Sequence, residues 1–101
     1  MAQIRWTDFA IGELNQIGEF ISKDSKRYAE LTVSELFEAT EILEKHPRTG
    51  AVVPMFQNDA IRQLIKGNYR IIYLILDEDS IDILTVHNGS RLISNIMADL
   101  P

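Results

Sequence analysis

The sequence contains no cysteine, which excludes disulfide bonds and thiolate metal sites. It has no run of 18 apolar residues, so it lacks the segment that a transmembrane helix requires. The N-terminus carries no basic region followed by an apolar block, and we therefore expect no signal peptide. Together these absences predict a cytoplasmic protein with no membrane partner.

Three prolines and five glycines are spread over 101 residues, and 46% of the residues are hydrophobic. This composition argues against disorder and predicts a single domain over residues 1–101. A chain of this size buries roughly 60–70% of the surface that its unfolded form exposes, which is enough for one core.

Acidic residues outnumber basic ones, and the net charge of −5 argues against broad affinity for nucleic acid. The charges are unevenly distributed, because residues 45–76 contain one acid, Asp59. The same stretch carries five cations: Lys45, Arg48, Arg62, Lys66 and Arg70. We expect an acidic helical side and a locally basic sheet edge, although charge runs on helices also mark ordinary solvated faces.

Two helices are predicted after a short apolar start at Ile4–Trp6, which is expected to be an edge strand. Thr7 is a suitable N-cap for the first helix. Its apolar stripe consists of Ala10, Leu14, Ile17 and Ile21. A polar break at Ser22–Ser25 precedes a second helix, predicted over Lys26–Lys45, and the short break makes the pair an antiparallel hairpin.

Strands follow a loop predicted over residues 50–59. Alternating residues from Ile61 lead to Gly67-Asn68, which suits a two-residue hairpin turn with glycine first. Tyr69–Leu76 is apolar on both faces, as in a central strand, and Ile81–Val86 is the next strand. The predicted fold class is α+β: an N-terminal strand and an antiparallel helix hairpin packed on a small antiparallel sheet.

Three arginines are candidates for binding an anion. Arg70 on the central strand could grip a phosphate or carboxylate through two hydrogen bonds, or it could pair with Asp82 on the neighbouring strand. Arg62 and Arg91 lie near the other strands, so convergence of the three would form an anionic-ligand site. The alternative is that they are exposed surface arginines.

His87 is a candidate general base, but such a base needs a reacting group within reach, and the sequence favours a structural role. His46 has no obvious partner, and two isolated histidines do not predict a metal site. Tyr69 could stack on a base, although aromatic residues in a small domain commonly belong to the core.

Four segments of the chain resemble the RelE/ParE superfamily, the small toxins of type II toxin–antitoxin modules. These segments are Pro47-Arg48-Thr49-Gly50, Ile61-Arg62-Gln63-Leu64, Gly67-Asn68-Tyr69-Arg70-Ile71-Ile72-Tyr73 and Gly89-Ser90-Arg91. The order of the predicted elements is also that of this superfamily, so the resemblance covers nearly the whole chain.

The resemblance implies one of two activities. RelE-like members cut mRNA on the ribosome with several cations around the phosphate, whereas ParE-like members bind DNA gyrase and trap its cleaved DNA. Ile61 and Gln63 stand where RelE-like members place lysines, and the segment 92–101 has no tyrosine, histidine or cation. Asn88 occupies the place directly before the glycine where ParE-like members often have histidine. The phrases are closer to the ParE branch.

The resemblance therefore implies a non-enzymatic, ParE-like toxin that needs no cofactor or metal. Its target-facing surface is expected to include Arg62, Arg70, Arg91, Tyr69 and His87, with the C-terminal segment beside them. A ParD-like antitoxin is the implied partner and gyrase the implied target, with nucleic acid contacted only indirectly. A ribosome-dependent RNase and a non-toxic antitoxin-binding module remain the alternatives.

Overall fold

The computed structural model describes residues 1–89, which form two helices and a five-stranded sheet. The strands are β1 (Gln3–Trp6), β2 (Ala51–Val52), β3 (Ile61–Lys66), β4 (Tyr69–Asp77) and β5 (Ser80–Asn88). The helices are α1 (Asp8–Ser22) and α2 (Lys26–Glu38), both between β1 and β2. The predicted α+β class with a helix hairpin is confirmed.

Both helices begin at side-chain caps. The Thr7 hydroxyl accepts a hydrogen bond from the Ala10 N–H at 3.1 Å, as predicted, and the Ser25 hydroxyl accepts one from the Tyr28 N–H at 3.0 Å. These bonds satisfy donors that the first helical turn leaves without partners. The apolar stripes of the two helices then face the sheet, where Leu14 and Leu36 are buried.

The sheet has the strand order β1-β5-β4-β3-β2. The β3, β4 and β5 strands form the predicted antiparallel meander, with Lys66 opposite Tyr69 across the turn. The first strand lies at an edge as predicted, but it runs parallel to β5, with Ile4 opposite Ile81. The sheet is therefore mixed rather than purely antiparallel. The core lies between the helices and one sheet face, and its buried sheet residues include Ile71, Tyr73 and Ile83.

The prediction that the second helix extends to Lys45 is wrong. The helix ends at Glu38, and a 3₁₀ turn follows over Glu41–Glu44. The Thr40 hydroxyl donates to the Phe37 carbonyl at 2.8 Å, and this local bond competes with continuation of the helix. The tighter turn places Leu43 in the core, fully buried.

The loop predicted over residues 50–59 contains two short elements that were not predicted. Ala51–Val52 forms the edge strand β2 beside β3, and Pro54–Phe56 forms a 3₁₀ turn. The strand predicted over Ile81–Val86 is longer than expected, since β5 spans Ser80–Asn88. The predictions for Arg91 and for the segment 92–101 fall outside the described residues.

Candidate binding site

One end of the sheet is built from the β3–β4 turn and the end of β5. Gly67 adopts a left-handed φ of 59°, which a side-chain-bearing residue rarely adopts and which the first position of this turn requires. The Gly89 N–H donates to the Asn68 carbonyl at 2.6 Å and ties the turn to the end of β5. The turn and the end of β5 are therefore held next to each other, and the surrounding side chains project from this end.

Arg70 lies at the turn end, half-buried, opposite Ile65 on β3 and His87 on β5. Within residues 1–89 no hydrogen bond or ion pair engages its guanidinium. The group lines a cavity of about 520 Å³ together with Ile65, Gly67, Asn68, Tyr69, Asn88 and Gly89. A guanidinium with unused donors in a concave, partly shielded place can hold a carboxylate or a phosphate.

Gly89 keeps this cavity open beside the arginine. A Cβ atom at position 89 would lie 3.6 Å from the Arg70 Nε and 3.2 Å from the Asn68 carbonyl oxygen. A side chain there would therefore press on the turn and cover one side of the guanidinium. Glycine leaves that side accessible to a ligand.

Tyr69 and His87 lie beside Arg70, but neither is presented as an exposed reactive group. Tyr69 is half-buried and packs against the helix-covered core. Arg70 is on the opposite face, because adjacent residues of a strand point to opposite faces. His87 is 3% exposed. The structure thus brings three of the five sequence-predicted residues to one end of the sheet, and Arg70 is the cation among these three.

Glu13 of α1 borders the same end, and sequence reasoning did not identify it. Its carboxylate accepts a hydrogen bond from the Val86 N–H at 3.1 Å and another from the Thr85 hydroxyl. It thereby covers the edge of β5 beyond the point where β1 ends. It also lines a cavity of about 450 Å³ with Phe20, Tyr69 and His87. The sequence signal for this residue is its position, because Glu13 directly precedes Leu14 in the apolar stripe of α1.

Arg62 is held at the other end of the sheet. Its guanidinium donates to three backbone carbonyls: Asp59 at 2.8 Å, Arg48 at 3.2 Å and Gly50 at 3.0 Å. Arg62 pairs with Tyr73 across the ladder, three residues from Arg70. That separation is about 10 Å along the strand, and the odd offset puts the two arginines on opposite faces. They do not converge on one ligand.

Tyr73 fixes the same chain segment as Arg62. Its hydroxyl accepts from the Gly50 N–H at 2.9 Å and donates to the Pro47 carbonyl at 2.6 Å. Burial raises the pKa of the Tyr73 phenol above its ordinary value, against smaller lowering effects of the Gly50 bond and of Arg62 and Arg48. These bonds give the Pro47–Gly50 motif a structural explanation.

The alternative pairing of Arg70 with Asp82 is wrong. Asp82 lies opposite Leu74, five positions along β5 from His87, the partner of Arg70. Its carboxylate instead accepts from Arg5 on β1 at 3.0 and 2.7 Å. The bidentate hydrogen bond and the charge of Asp82 raise the pKa of Arg5. The register of the sheet therefore leaves Arg70 without this acid.

Among residues 1–89, no group of three or more histidine, aspartate or glutamate side chains could hold a metal ion. No helix in this part of the chain is both long enough and apolar enough to cross a membrane.

Comparison with known proteins places the chain in a family. Residues 4–93 match the family model of the ParE toxin of type II toxin–antitoxin systems, parDE. A solved structure described as the chromosomal ParDE toxin–antitoxin system from P. aeruginosa has the same fold, with a TM-score of 0.71 and 20% sequence identity. The match covers 87% of this chain and 96% of that one. No curated protein matches the sequence. The chain belongs to the ParE toxin family of type II toxin–antitoxin systems.

Proposed function

We propose that this ParE-type toxin binds DNA gyrase and traps the enzyme's cleaved DNA, and that a ParD-like antitoxin neutralises it. The toxin acts by binding and not by chemistry of its own. Because gyrase acts in the cytoplasm, the proposal implies that the protein works there. Contact with nucleic acid is indirect, through the target or through the antitoxin complex.

The observation that carries this proposal is the state of Arg70. In the described part of the chain its guanidinium has no hydrogen-bond or ion-pair partner, and it lines a cavity of about 520 Å³. The donors of this half-buried guanidinium are therefore available to a carboxylate or phosphate outside the chain, which supports a binding role. Tyr69 and His87 contribute to the shape of the same surface, and Arg91 is proposed to extend it.

The burial of His87 supports a binding role. A ribonuclease of this superfamily needs a side chain that reaches the phosphate and moves protons. At 3% exposure the His87 imidazole does not extend into solvent. Arg62 remains a proposed member of the target-facing surface, although its three carbonyl contacts also give it a structural role.

The helix hairpin supplies a surface for the antitoxin. Phe20 is 69% exposed and Tyr28 is 60% exposed, and Leu31 and Phe37 are also exposed. A cavity of about 430 Å³ opens between α1 and α2 beside Gly18, Ala29 and Val33. An antitoxin segment that folds on binding would bury these apolar side chains. Their removal from water lowers the free energy of the complex.

A plasmid-cleavage assay tests the toxin activity. Purified protein without antitoxin is incubated with gyrase, ATP and supercoiled plasmid, and protein-linked double-strand breaks are measured. We expect breaks with the wild type and with Arg27→Ala, which removes an exposed cation on α2. We expect at least a tenfold loss with Arg70→Ala, because a hydrogen-bonded charge at an interface contributes on the order of 2 kcal/mol.

Circular dichroism must show that all three proteins are folded. Absence of breaks from folded wild type would contradict gyrase poisoning. Loss of polysomal mRNA on expression would then favour the ribosome-dependent RNase, and normal growth would favour a non-toxic module. Breaks that persist with Arg70→Ala would remove Arg70 from the proposed site while leaving the gyrase target in place.

A further inference from the structure

A cleft lies at the end of the sheet that is farther from Arg70. It has a volume of about 750 Å³ and lies between the segment 45–49 and the end of β4, Ile75–Glu78, with Ala60 at one side. This end cleft is about 20 Å from Arg70 along β4, given the rise of a strand. Its size falls within the range of ligand sites in proteins.

One wall of the end cleft is held by the core. The Tyr73 hydroxyl binds the Gly50 N–H and the Pro47 carbonyl, and Arg62 binds the Arg48 and Gly50 carbonyls. A side chain at Gly50 has no room, because a Cβ would lie 2.6 Å from the Gln63 carbonyl oxygen. The wall is therefore preorganised, so little conformational freedom is lost when a ligand binds.

The two walls carry opposite charges that do not meet. Lys45 and Arg48 are exposed on one wall, and Asp77 and Glu78 are exposed on the other. The one ion pair within residues 1–89 joins Arg5 to Asp82, so none joins these walls. Asp77 accepts a hydrogen bond from the Asp79 N–H in its own turn. A ligand with both signs of charge would complement this arrangement.

The floor of the cleft offers a backbone edge and an apolar side chain. The last ladder partner of β4 on β3 is Ile61, opposite Leu74. Beyond it the Ile75 N–H still donates to the Ala60 carbonyl, but β3 does not extend beside Leu76 and Asp77. A register shift between Ile75 and Asp77 marks a bulge at Leu76, which is 53% exposed. An unpaired strand edge of this kind can accept an extended peptide.

We propose that the end cleft is a docking site for an extended peptide segment of a partner chain that carries one acidic and one basic side chain. The acid faces Lys45 and Arg48, and the base faces Asp77 and Glu78. The backbone between them pairs with the end of β4, and an apolar side chain packs on Leu76. This site is separate from Arg70, and its existence does not depend on gyrase as the target.

Peptide titration tests the site directly. The probes are labelled peptides Lys-Val-Thr-Val-Thr-Glu and the reversed sequence, since the two walls allow either direction. The control peptide replaces the lysine and glutamate with glutamine. We expect one charged peptide to bind with amide chemical-shift changes centred on Leu76 and Asp77, and the control to bind at least about fivefold more weakly, as for loss of partly exposed ion pairs. Binding should weaken as salt is raised.

Variants separate this site from the rest of the surface. Arg48→Gln and Glu78→Gln should each weaken binding about threefold or more, while Arg27→Gln and Glu38→Gln on α2 should not change it. These four side chains are exposed, so the fold should be retained, and the gyrase assay should not distinguish Arg48→Gln from wild type. Failure of both charged peptides to bind, equal binding of the control peptide, or shifts centred away from β4 would overturn the proposal.

Discussion

The two ends of the sheet contain the same kind of residue in different situations. At one end Arg62 is held by three backbone carbonyls, and at the other Arg70 has no partner within residues 1–89. Both arginines lie on neighbouring strands in apolar surroundings, so the sequence alone treats them alike. The difference shows that the sheet register and the neighbouring loop, which a sequence pattern does not encode, determine whether an arginine is engaged within its own fold.

Gly50→Ala should have the largest effect on the free energy of unfolding, because Gly50 lies in the segment that Arg62 and Tyr73 hold against the sheet. The new Cβ would lie 2.6 Å from the Gln63 carbonyl oxygen and 2.7 Å from the Tyr73 hydroxyl. Overpacking of this kind costs about 1–3 kcal/mol, and we expect the upper part of that range. Urea denaturation measures the free energy of unfolding. The control is Gly12→Ala, which meets nothing within 4 Å and should stabilise α1 by about 0.5–1 kcal/mol. Equal effects at the two glycines would contradict close packing at Gly50.

Arg62→Gln should lower the free energy of unfolding by about 2 kcal/mol, because up to three hydrogen bonds from a charged donor are lost. Arg70→Gln should change it by less than about 0.5 kcal/mol, as for a surface substitution away from structural contacts. The same denaturation experiment compares the two variants. A destabilisation by Arg70→Gln as large as that by Arg62→Gln would remove the distinction between the two ends.

Tyr73→Phe should cost about 1–2 kcal/mol, because the buried Gly50 N–H loses its acceptor. The pH dependence sharpens this prediction. The pKa of Tyr73 in the folded state is raised above its ordinary value of 10.0, so the folded protein keeps this proton at a pH where the unfolded chain releases it. The resulting contribution to the free energy of unfolding is fully present below about pH 10 and is lost as the pH rises further. Wild type should lose more stability than Tyr73→Phe between about pH 9 and 11, and parallel pH profiles would contradict the assignment.

Several features of the fold were predictable from local sequence. Thr7 is a cap because its hydroxyl reaches the helix that starts beside it, and Gly67-Asn68 forms a turn because glycine accepts a positive φ. The pairing of β1 with β5 was not predictable, since Ile4 and Ile81 are far apart in sequence and an apolar pattern does not encode its partner strand. The two-residue strand β2 is too short to show alternation.

The candidate site was predictable in composition but not in geometry. Arg70, Tyr69 and His87 follow from the strands that carry them, and they do meet at one end of the sheet. The anchoring of Arg62 could not be read from the sequence, because its acceptors are backbone carbonyls and these have no residue signature. The pairing of Asp82 with Arg5 likewise depends on the sheet register.

The most direct test of the account is a binding titration of gyrase with wild type, Arg70→Gln and Arg62→Gln, each checked for folding at the assay temperature. The account predicts that Arg70→Gln keeps wild-type stability and binds gyrase at least tenfold more weakly, whereas the loss of stability is confined to Arg62→Gln. Wild-type affinity for gyrase in folded Arg70→Gln would contradict the claim that the Arg70 end of the sheet is the target-binding surface.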